Sequence, residues 1–120
     1  MNTTTLVLGA STNPSRYANM AIHRLVNKGE AVEALGLRAG EVAGVSIQTD
    51  PASLSKPDTI TLYVGRKNQH HYMDLMLQLA PRRVIFNPGT ENPQVEQQLQ
   101  KAGVETLRAC TLVLLATNQY

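Results

Sequence analysis

Short apolar runs and amphipathic segments of helical period alternate along this chain of 120 residues. The apolar runs predict five main strands, and they lie at residues 6–8, 31–35, 58–64, 83–86 and 104–107. Helical patterns follow the first, third and fourth runs, with apolar residues spaced to form one buried stripe. This alternation predicts a three-layer α/β domain, in which a parallel sheet carries helices on both faces through right-handed crossovers.

The order of the strands decides where such a sheet binds a ligand. We expect the five main strands to lie in the order 3-2-1-4-5, which reverses direction between the first and the fourth. Ligands of such sheets bind in the crevice at the carboxyl ends of the strands, at the point of reversal. Residues 9–17 and 87–92 then flank the crevice. The sequence does not decide whether residues 45–47 form an edge strand. Nor does it decide whether residues 109–120 form a terminal helix or a last strand.

The loop after the first strand is a candidate phosphate site. Gly9 ends the apolar run, and a polar loop leads into the first helix, whose backbone N–H groups then point towards the crevice. Asn13, which precedes Pro14, and Ser15 are both candidates for the N-cap of this helix, and the sequence does not choose between them. For the helix after the fourth strand, Asn92 is the expected N-cap.

Composition limits the class of protein. The length fits one domain, spanning residues 1–120. Eleven Lys and Arg residues against nine Asp and Glu leave a net charge of only +2, and with 4% aromatic residues this argues against nucleic acid as a partner. No apolar stretch is long enough for a membrane span or a signal peptide, and a single cysteine suits a reducing compartment. We therefore expect a cytoplasmic protein.

The first loop differs from a dinucleotide-binding loop. The fingerprint of such loops needs a second glycine, for a close approach to the pyrophosphate, but here Gly9 is followed by Ala10, Ser11 and Thr12. NAD sites also place an acid at the end of the second strand, where this chain has an arginine, Arg38. An arginine suits a phosphorylated ribose, as in NADP or coenzyme A (CoA), so NAD is disfavoured on two counts.

Three segments together carry a resemblance to a known family. They are GASTNPSRYAN at residues 9–19, NPGTEN at residues 87–92 and ACT at residues 109–111. They resemble the small stand-alone CoA-binding proteins, a Rossmann-like family related to the CoA-binding domain of the succinyl-CoA synthetase α subunit. The resemblance covers almost the whole chain and implies a Rossmann-like five-stranded sheet that binds CoA or acyl-CoA. The phosphohistidine loop of the synthetase has no visible equivalent, so ligase chemistry is not implied.

The resemblance also implies where the ligand lies. The phosphates would lie on the first loop, the adenosine end at residues 36–38, and the nucleotide or pantetheine path along residues 63–65. The expected cofactor-binding residues are Gly9, Ala10, Ser11, Asn13, Pro14, Arg16, Tyr17, Gly36, Leu37, Arg38, Val64, Gly65, Asn87, Pro88, Gly89 and Cys110.

Few residues suggest catalysis, and we assign no catalytic or metal-binding residue. Ser11 lacks the glycines of a nucleophile elbow, and the adjacent His70 and His71 point about 100° apart on a helix, which prevents them from sharing a metal. Cys110 is either a buried small hydrophobe or a neighbour of the pantetheine arm. A non-catalytic CoA-binding module is predicted. The alternatives are an NADP-dependent oxidoreductase and an acyl-transfer enzyme that uses Cys110, and a homodimer or another protein partner stays open.

Overall fold

The computed structural model describes residues 3–120. The strands are β1 (Thr5–Ala10), β2 (Val32–Gly36), β3 (Gly40–Val42), β4 (Val45–Gln48), β5 (Thr59–Leu62), β6 (Arg83–Phe86) and β7 (Glu105–Arg108). The α-helices are α1 (Tyr17–Asn27), α2 (Met73–Leu79), α3 (Pro93–Lys101) and α4 (Thr111–Ala116). Two 3-10 helices, Pro51–Ser53 and Arg66–Tyr72, precede β5 and α2 respectively.

The strands form one sheet in the order β3-β4-β2-β1-β5-β6-β7. Every neighbouring pair is parallel except β3 and β4, which form an antiparallel hairpin at one edge. Ala43 and Gly44 connect this hairpin with φ angles of 53° and 83°. Positive φ at both central residues is what a two-residue loop of type I′ requires, and the twist of such a turn matches that of the strands.

The predicted fold class is confirmed, but the count of five strands is wrong, because the hairpin adds two. The predicted order 3-2-1-4-5 matches this sheet only if β4 is counted as the third strand and β5 as the fourth. The run at residues 58–64, predicted as the third, pairs with β1 through Leu6 and Ile60 instead of extending the sheet beyond β2. The reversal therefore lies between β1 and β5, so residues 63–65 face the first loop directly and residues 87–92 lie one strand further away.

Both faces of the sheet are covered, so the domain has three layers. Leu6, Leu8 and their neighbours pack under α2 and α3, together with Met76 and Leu99. On the other face, Val7 packs with residues of α1 and α4, which include Ile22, Leu25 and Leu115. Successive residues of β1 thus serve opposite faces, as the pleat of a strand requires. A continuous apolar run is the result, and it marks a central strand.

Local signals explain several boundaries. Asn92 caps α3 as predicted, since its side chain accepts a hydrogen bond from the N–H of Val95 at 3.3 Å. The helix predicted at residues 68–80 is α-helical only from Met73, because a 3-10 helix occupies the preceding turns. The ambiguous tail forms helix α4. No helix within residues 3–120 has the length and apolarity needed to cross a membrane.

Candidate functional site

Glycine brings the end of β1 close to the end of β5. The N–H of Tyr63 donates to the carbonyl of Leu8 at 2.8 Å, and Gly9 follows with a φ of 95°. A Cβ placed on Gly9 would lie 3.0 Å from the carbonyl carbon and oxygen of Tyr63. Only glycine accommodates both this contact and this backbone angle. The first loop therefore starts in direct contact with residues 63–65.

The side chains of the first loop largely hold the loop itself. Ser11 Oγ accepts from the N–H of Asn13 at 3.1 Å, and Asn13 Oδ1 accepts from the N–H and the hydroxyl of Ser15 at 3.0 and 2.8 Å. From below, the buried Asn19 of α1 donates through Nδ2 to the carbonyl of Ser11 at 3.1 Å. These bonds fix the path of the loop before any ligand arrives.

Helix α1 begins without a side-chain cap. The N-cap residue is Arg16, which has extended backbone angles, and its side chain makes no capping hydrogen bond. The prediction of Asn13 or Ser15 as the N-cap is wrong, because Asn13 uses its oxygen to hold Ser15 within the loop. An uncapped first turn keeps N–H groups that an anion can accept from, at the positive end of the helix dipole.

The end of β2 lies against this loop. Ala10 pairs with Gly36, and a Cβ on Gly36 would lie only 2.4 Å from the carbonyl oxygen of Ala10. Leu37 and Arg38 follow directly and are exposed, Leu37 at 88%. The predicted segments at residues 9–17 and 36–38 therefore meet at the ends of β1 and β2, where Leu37 and Arg38 present an apolar and a cationic side chain to solvent.

Asn87, at the end of β6, is buried at 1% exposure. Its Nδ2 donates to Thr61 Oγ1 at 2.8 Å and to the carbonyl of Leu62 at 3.0 Å, while its Oδ1 accepts from the N–H of Thr111 at 2.9 Å. The side chain thus joins β5, β6 and the start of α4. The carbonyl of Asn87 is also occupied, since it accepts from the N–H and the hydroxyl of Thr90 at 2.9 and 2.7 Å. The exposed Pro88 and Gly89 form the surface of this loop.

Cys110 occupies the N-cap position of α4 and is partly buried. It follows β7, whose carboxyl end lies at the same edge of the sheet as the loops above. The Asn87–Thr111 hydrogen bond brings the start of α4 back towards the middle of this edge. All the segments predicted to bind the cofactor therefore share one edge of the sheet.

Tyr63 carries a buried phenol at this edge. Burial raises the pKa of Tyr63 to about 12, against the opposing effect of the nearby Thr61 and Thr111 hydroxyls. These two hydroxyls are hydrogen-bonded to each other at 2.8 Å, and Tyr63 Oη has no hydrogen-bond partner. The neutral phenol is thus favoured in the folded protein.

Replacing Tyr63 by phenylalanine tests whether the buried phenol has a raised pKa in the folded protein. Because the folded pKa lies above the unfolded value of about 10, Tyr63 contributes stability that is lost as the pH rises from about 10 to about 12. We expect Tyr63→Phe to be close to neutral at pH 7, since it removes an unpaired group. It should flatten the fall in stability above pH 10, measured by urea unfolding at several pH values. An unchanged pH profile would contradict the assignment.

Two residues of this edge, Asn19 and Gln69, were not predicted from the sequence. Each is a buried polar residue whose side chain donates to a loop carbonyl. The available signal for Asn19 was an amide within the apolar stripe of α1.

His70 and His71 are both exposed, with ring centroids 4.0 Å apart. Within residues 3–120, no group of three or more His, Cys, Asp or Glu residues is arranged to hold a metal ion.

Two carboxylates with lowered pKa values are held in ion pairs. Arg82 donates two hydrogen bonds of 3.0 Å to Asp58 and lowers its pKa, at the amino ends of the strands and away from the loops described above. At Glu96, burial acts to raise the pKa, but Arg108 and the N–H of Asn92 outweigh it and lower the value. Both carboxylates therefore stabilise the fold through these ion pairs.

A doubly wound α/β sheet with a glycine loop at its point of reversal defines the class of this protein, a Rossmann-like domain. Within that class, the chain belongs to the CoA binding domain family, which matches residues 3–116. Association with CoA is thereby supported at the level of the family. A search of curated proteins found no match.

Several solved structures share the fold. A protein described only as uncharacterized is 39% identical and has a TM-score of 0.94, with 100% of this chain and 99% of that chain covered. A protein from Thermus thermophilus, cell-free ID.343, is 24% identical with a TM-score of 0.87, covering 99% and 91%. An acetyl-coenzyme A synthetase 1 from Ca. Korarchaeum cryptofilum is 19% identical with a TM-score of 0.72, and 89% of this chain matches only 25% of that enzyme.

Proposed function

We propose that this protein binds CoA or acyl-CoA at the carboxyl edge of its sheet and carries out no reaction by itself. The observation that carries the proposal is the uncapped start of α1, on the same edge of the sheet as Gly9 and the exposed Arg38. The helix start suits the pyrophosphate, and the arginine suits the additional phosphate on the ribose of CoA. The match to the CoA binding domain family supports the same ligand.

The residues present fit the other parts of this ligand. The exposed Leu37 offers an apolar contact for the adenine ring beside Arg38. Val64 and Gly65 continue the edge towards Asn87, along which the pantetheine arm would run. When bound, CoA would supply a thiol or an acyl thioester. The protein would position that group. It would not react with it through Asn87, Thr61 or Thr111, because the buried polar groups of these residues are hydrogen-bonded to one another.

Titration calorimetry with CoA, acetyl-CoA and NADPH tests the ligand. We expect binding of CoA or acetyl-CoA and weak or no binding of NADPH. Native mass spectrometry of the purified protein should reveal co-purified CoA as a mass increase that denaturation removes. Tight NADPH binding without any response to CoA would overturn the proposal and favour a reductase.

The non-catalytic part of the proposal is tested at Cys110. An acyl-transfer enzyme would carry its acyl group on the thiol of Cys110, with CoA released as the leaving group. Incubation with acetyl-CoA followed by intact mass measurement should show no acetyl group added to Cys110. An acetyl adduct that Cys110→Ser abolishes would contradict the proposal.

Arg38→Ala should weaken CoA more than dephospho-CoA. If the guanidinium makes a charge-assisted hydrogen bond to the 3′-phosphate, the difference between the two ligands should be about 1.5–3 kcal/mol in binding free energy. Calorimetry with both ligands on both proteins gives this difference directly. Arg24→Ala, which removes an exposed cation from the other end of α1, serves as the control. Equal losses for both ligands would show that Arg38 does not recognise the 3′-phosphate.

A further inference from the structure

Gln69 joins two loops of the candidate site. It lies within the 3-10 helix Arg66–Tyr72 and is buried at 0% exposure. Its Nε2 donates to the carbonyl of Val64 at 2.9 Å and to the carbonyl of Thr90 at 2.6 Å. Val64 follows β5 and Thr90 follows β6, so one side-chain amide holds the backbones of both loops.

The same amide leaves its own oxygen unpaired. Gln69 Oε1 is buried and has no hydrogen-bond partner. Turning the amide over would not correct this, because the oxygen would then face the two carbonyl oxygens of Val64 and Thr90 at hydrogen-bond distance. The orientation is therefore determined by the loops, and a buried unpaired acceptor costs stability. This cost is retained at the edge where the ligand is proposed to bind.

An exposed contact joins the same two loops more weakly. Arg66 Nε donates to the carbonyl of Glu91 at 3.1 Å, and the side chain of Glu91 accepts from the N–H of Gly89 at 3.0 Å. Water competes for hydrogen bonds of exposed side chains, whereas the two bonds of Gln69 are shielded from it. Gln69 thus contributes the stronger restraint on the relative position of the loops.

We propose that Gln69 is a positioning residue that fixes the distance between residues 63–65 and 87–92, and thereby the width of the ligand path between them. The part that concerns the ligand rests on the proposed function. Gln69 needs no contact with the ligand for this role, because it acts through the two backbone carbonyls. A preformed path lowers the cost of ordering the loops when the ligand binds.

Gln69→Glu separates this role from a general structural one. A glutamate has nearly the same shape, but its ionised carboxylate would face two carbonyl oxygens, whereas the protonated acid donates one hydrogen bond. Burial raises the pKa of such a carboxyl. We expect CoA affinity of the variant, relative to the unchanged protein, to be at least tenfold lower at pH 8 and to recover as the pH falls towards 5.5. Gln78→Glu, the same substitution at an exposed position of α2, is the matched control.

A second measurement needs no ligand. In Gln69→Met, which keeps a long side chain without polar groups, amide hydrogen exchange should rise in residues 63–65 and 87–92 together, while the first loop stays unchanged. A relative affinity independent of pH, or exchange that rises in neither or only one of the loops, would overturn the proposal. If the unchanged protein fails to bind CoA, the proposed function falls, and the exchange measurement alone decides the role of Gln69.

Discussion

Asn87→Ala should lower the free energy of unfolding by about 4 kcal/mol, the largest effect that we expect. The substitution removes the donor to Thr61 and Leu62 and the acceptor for the N–H of Thr111. The carbonyl of Leu62 and the N–H of Thr111 each lose a buried partner, at about 1–3 kcal/mol for each group, whereas the hydroxyl of Thr61 keeps its bond to the hydroxyl of Thr111. The lost side-chain volume adds a cavity. Urea unfolding followed by circular dichroism measures the change.

Two further variants make this result specific. Asn87→Asp keeps the acceptor for the N–H of Thr111 but loses the donor, so its cost should come from the carbonyl of Leu62, whereas the hydroxyl of Thr61 can donate to a carboxylate. Asn27→Ala, at an exposed position near the end of α1, should change stability by less than about 0.5 kcal/mol. A loss of less than about 1 kcal/mol in Asn87→Ala would show that the three elements are held together by other contacts.

Gly9→Ala should cost about 3 kcal/mol for two separable reasons. The φ of 95° is unfavourable for alanine, which accounts for about 1 kcal/mol, and the new Cβ would lie 3.0 Å from the backbone of Tyr63. Relief of that contact needs a shift between β1 and β5, and overpacking of this kind costs about 1–3 kcal/mol. Because the contact lies at the proposed phosphate loop, CoA affinity should fall together with stability.

Gly29 provides the matched control for the backbone angle. Its φ is 81°, but a Cβ placed there would have nothing within 4 Å. Gly29→Ala should therefore show the cost of the angle alone, about 1 kcal/mol in chemical unfolding, and leave CoA binding unchanged. Equal losses of stability in Gly9→Ala and Gly29→Ala would mean that the close approach of β1 and β5 contributes nothing measurable.

Local patterns were sufficient for the fold class and most element positions. The apolar run at residues 6–8 predicted the central strand, and Asn92 with Pro93 predicted the start of α3. These features depend on signals within a few residues. The predicted cofactor segments at residues 9–17 and 36–38 also reach one edge, because the carboxyl ends of parallel strands always do.

The strand order needed information that the local pattern did not contain. The hairpin β3–β4 is closed by Ala43 and Gly44, and alanine is an unusual residue at a positive φ, where asparagine would have indicated a two-residue turn. Without the hairpin, the run at residues 58–64 took the third place in the predicted order. Right-handed crossovers are compatible with either arrangement, so handedness could not correct the error.

The buried polar contacts of the candidate site could not be predicted from the sequence either. Gln69 reads as a polar residue between charged residues and histidines, and its burial follows only from the path of the 3-10 helix between two loops. Asn87 was predicted to bind the cofactor, and its buried hydrogen bonds to β5 and to the start of α4 depend on contacts distant in sequence. Such long-range polar contacts leave no periodic pattern in a single chain.

The two edges of the sheet have different consequences for self-association. At one edge, the antiparallel strand β3 is only three residues long, which offers little backbone to a second chain. The opposite edge is β7, where Glu105 and Arg108 are exposed at either end of a four-residue strand. Short edge strands and charged edge residues both oppose strand addition. The hairpin β3–β4, which the predicted strand order did not include, therefore also opposes aggregation of the protein by strand addition at its own edge of the sheet.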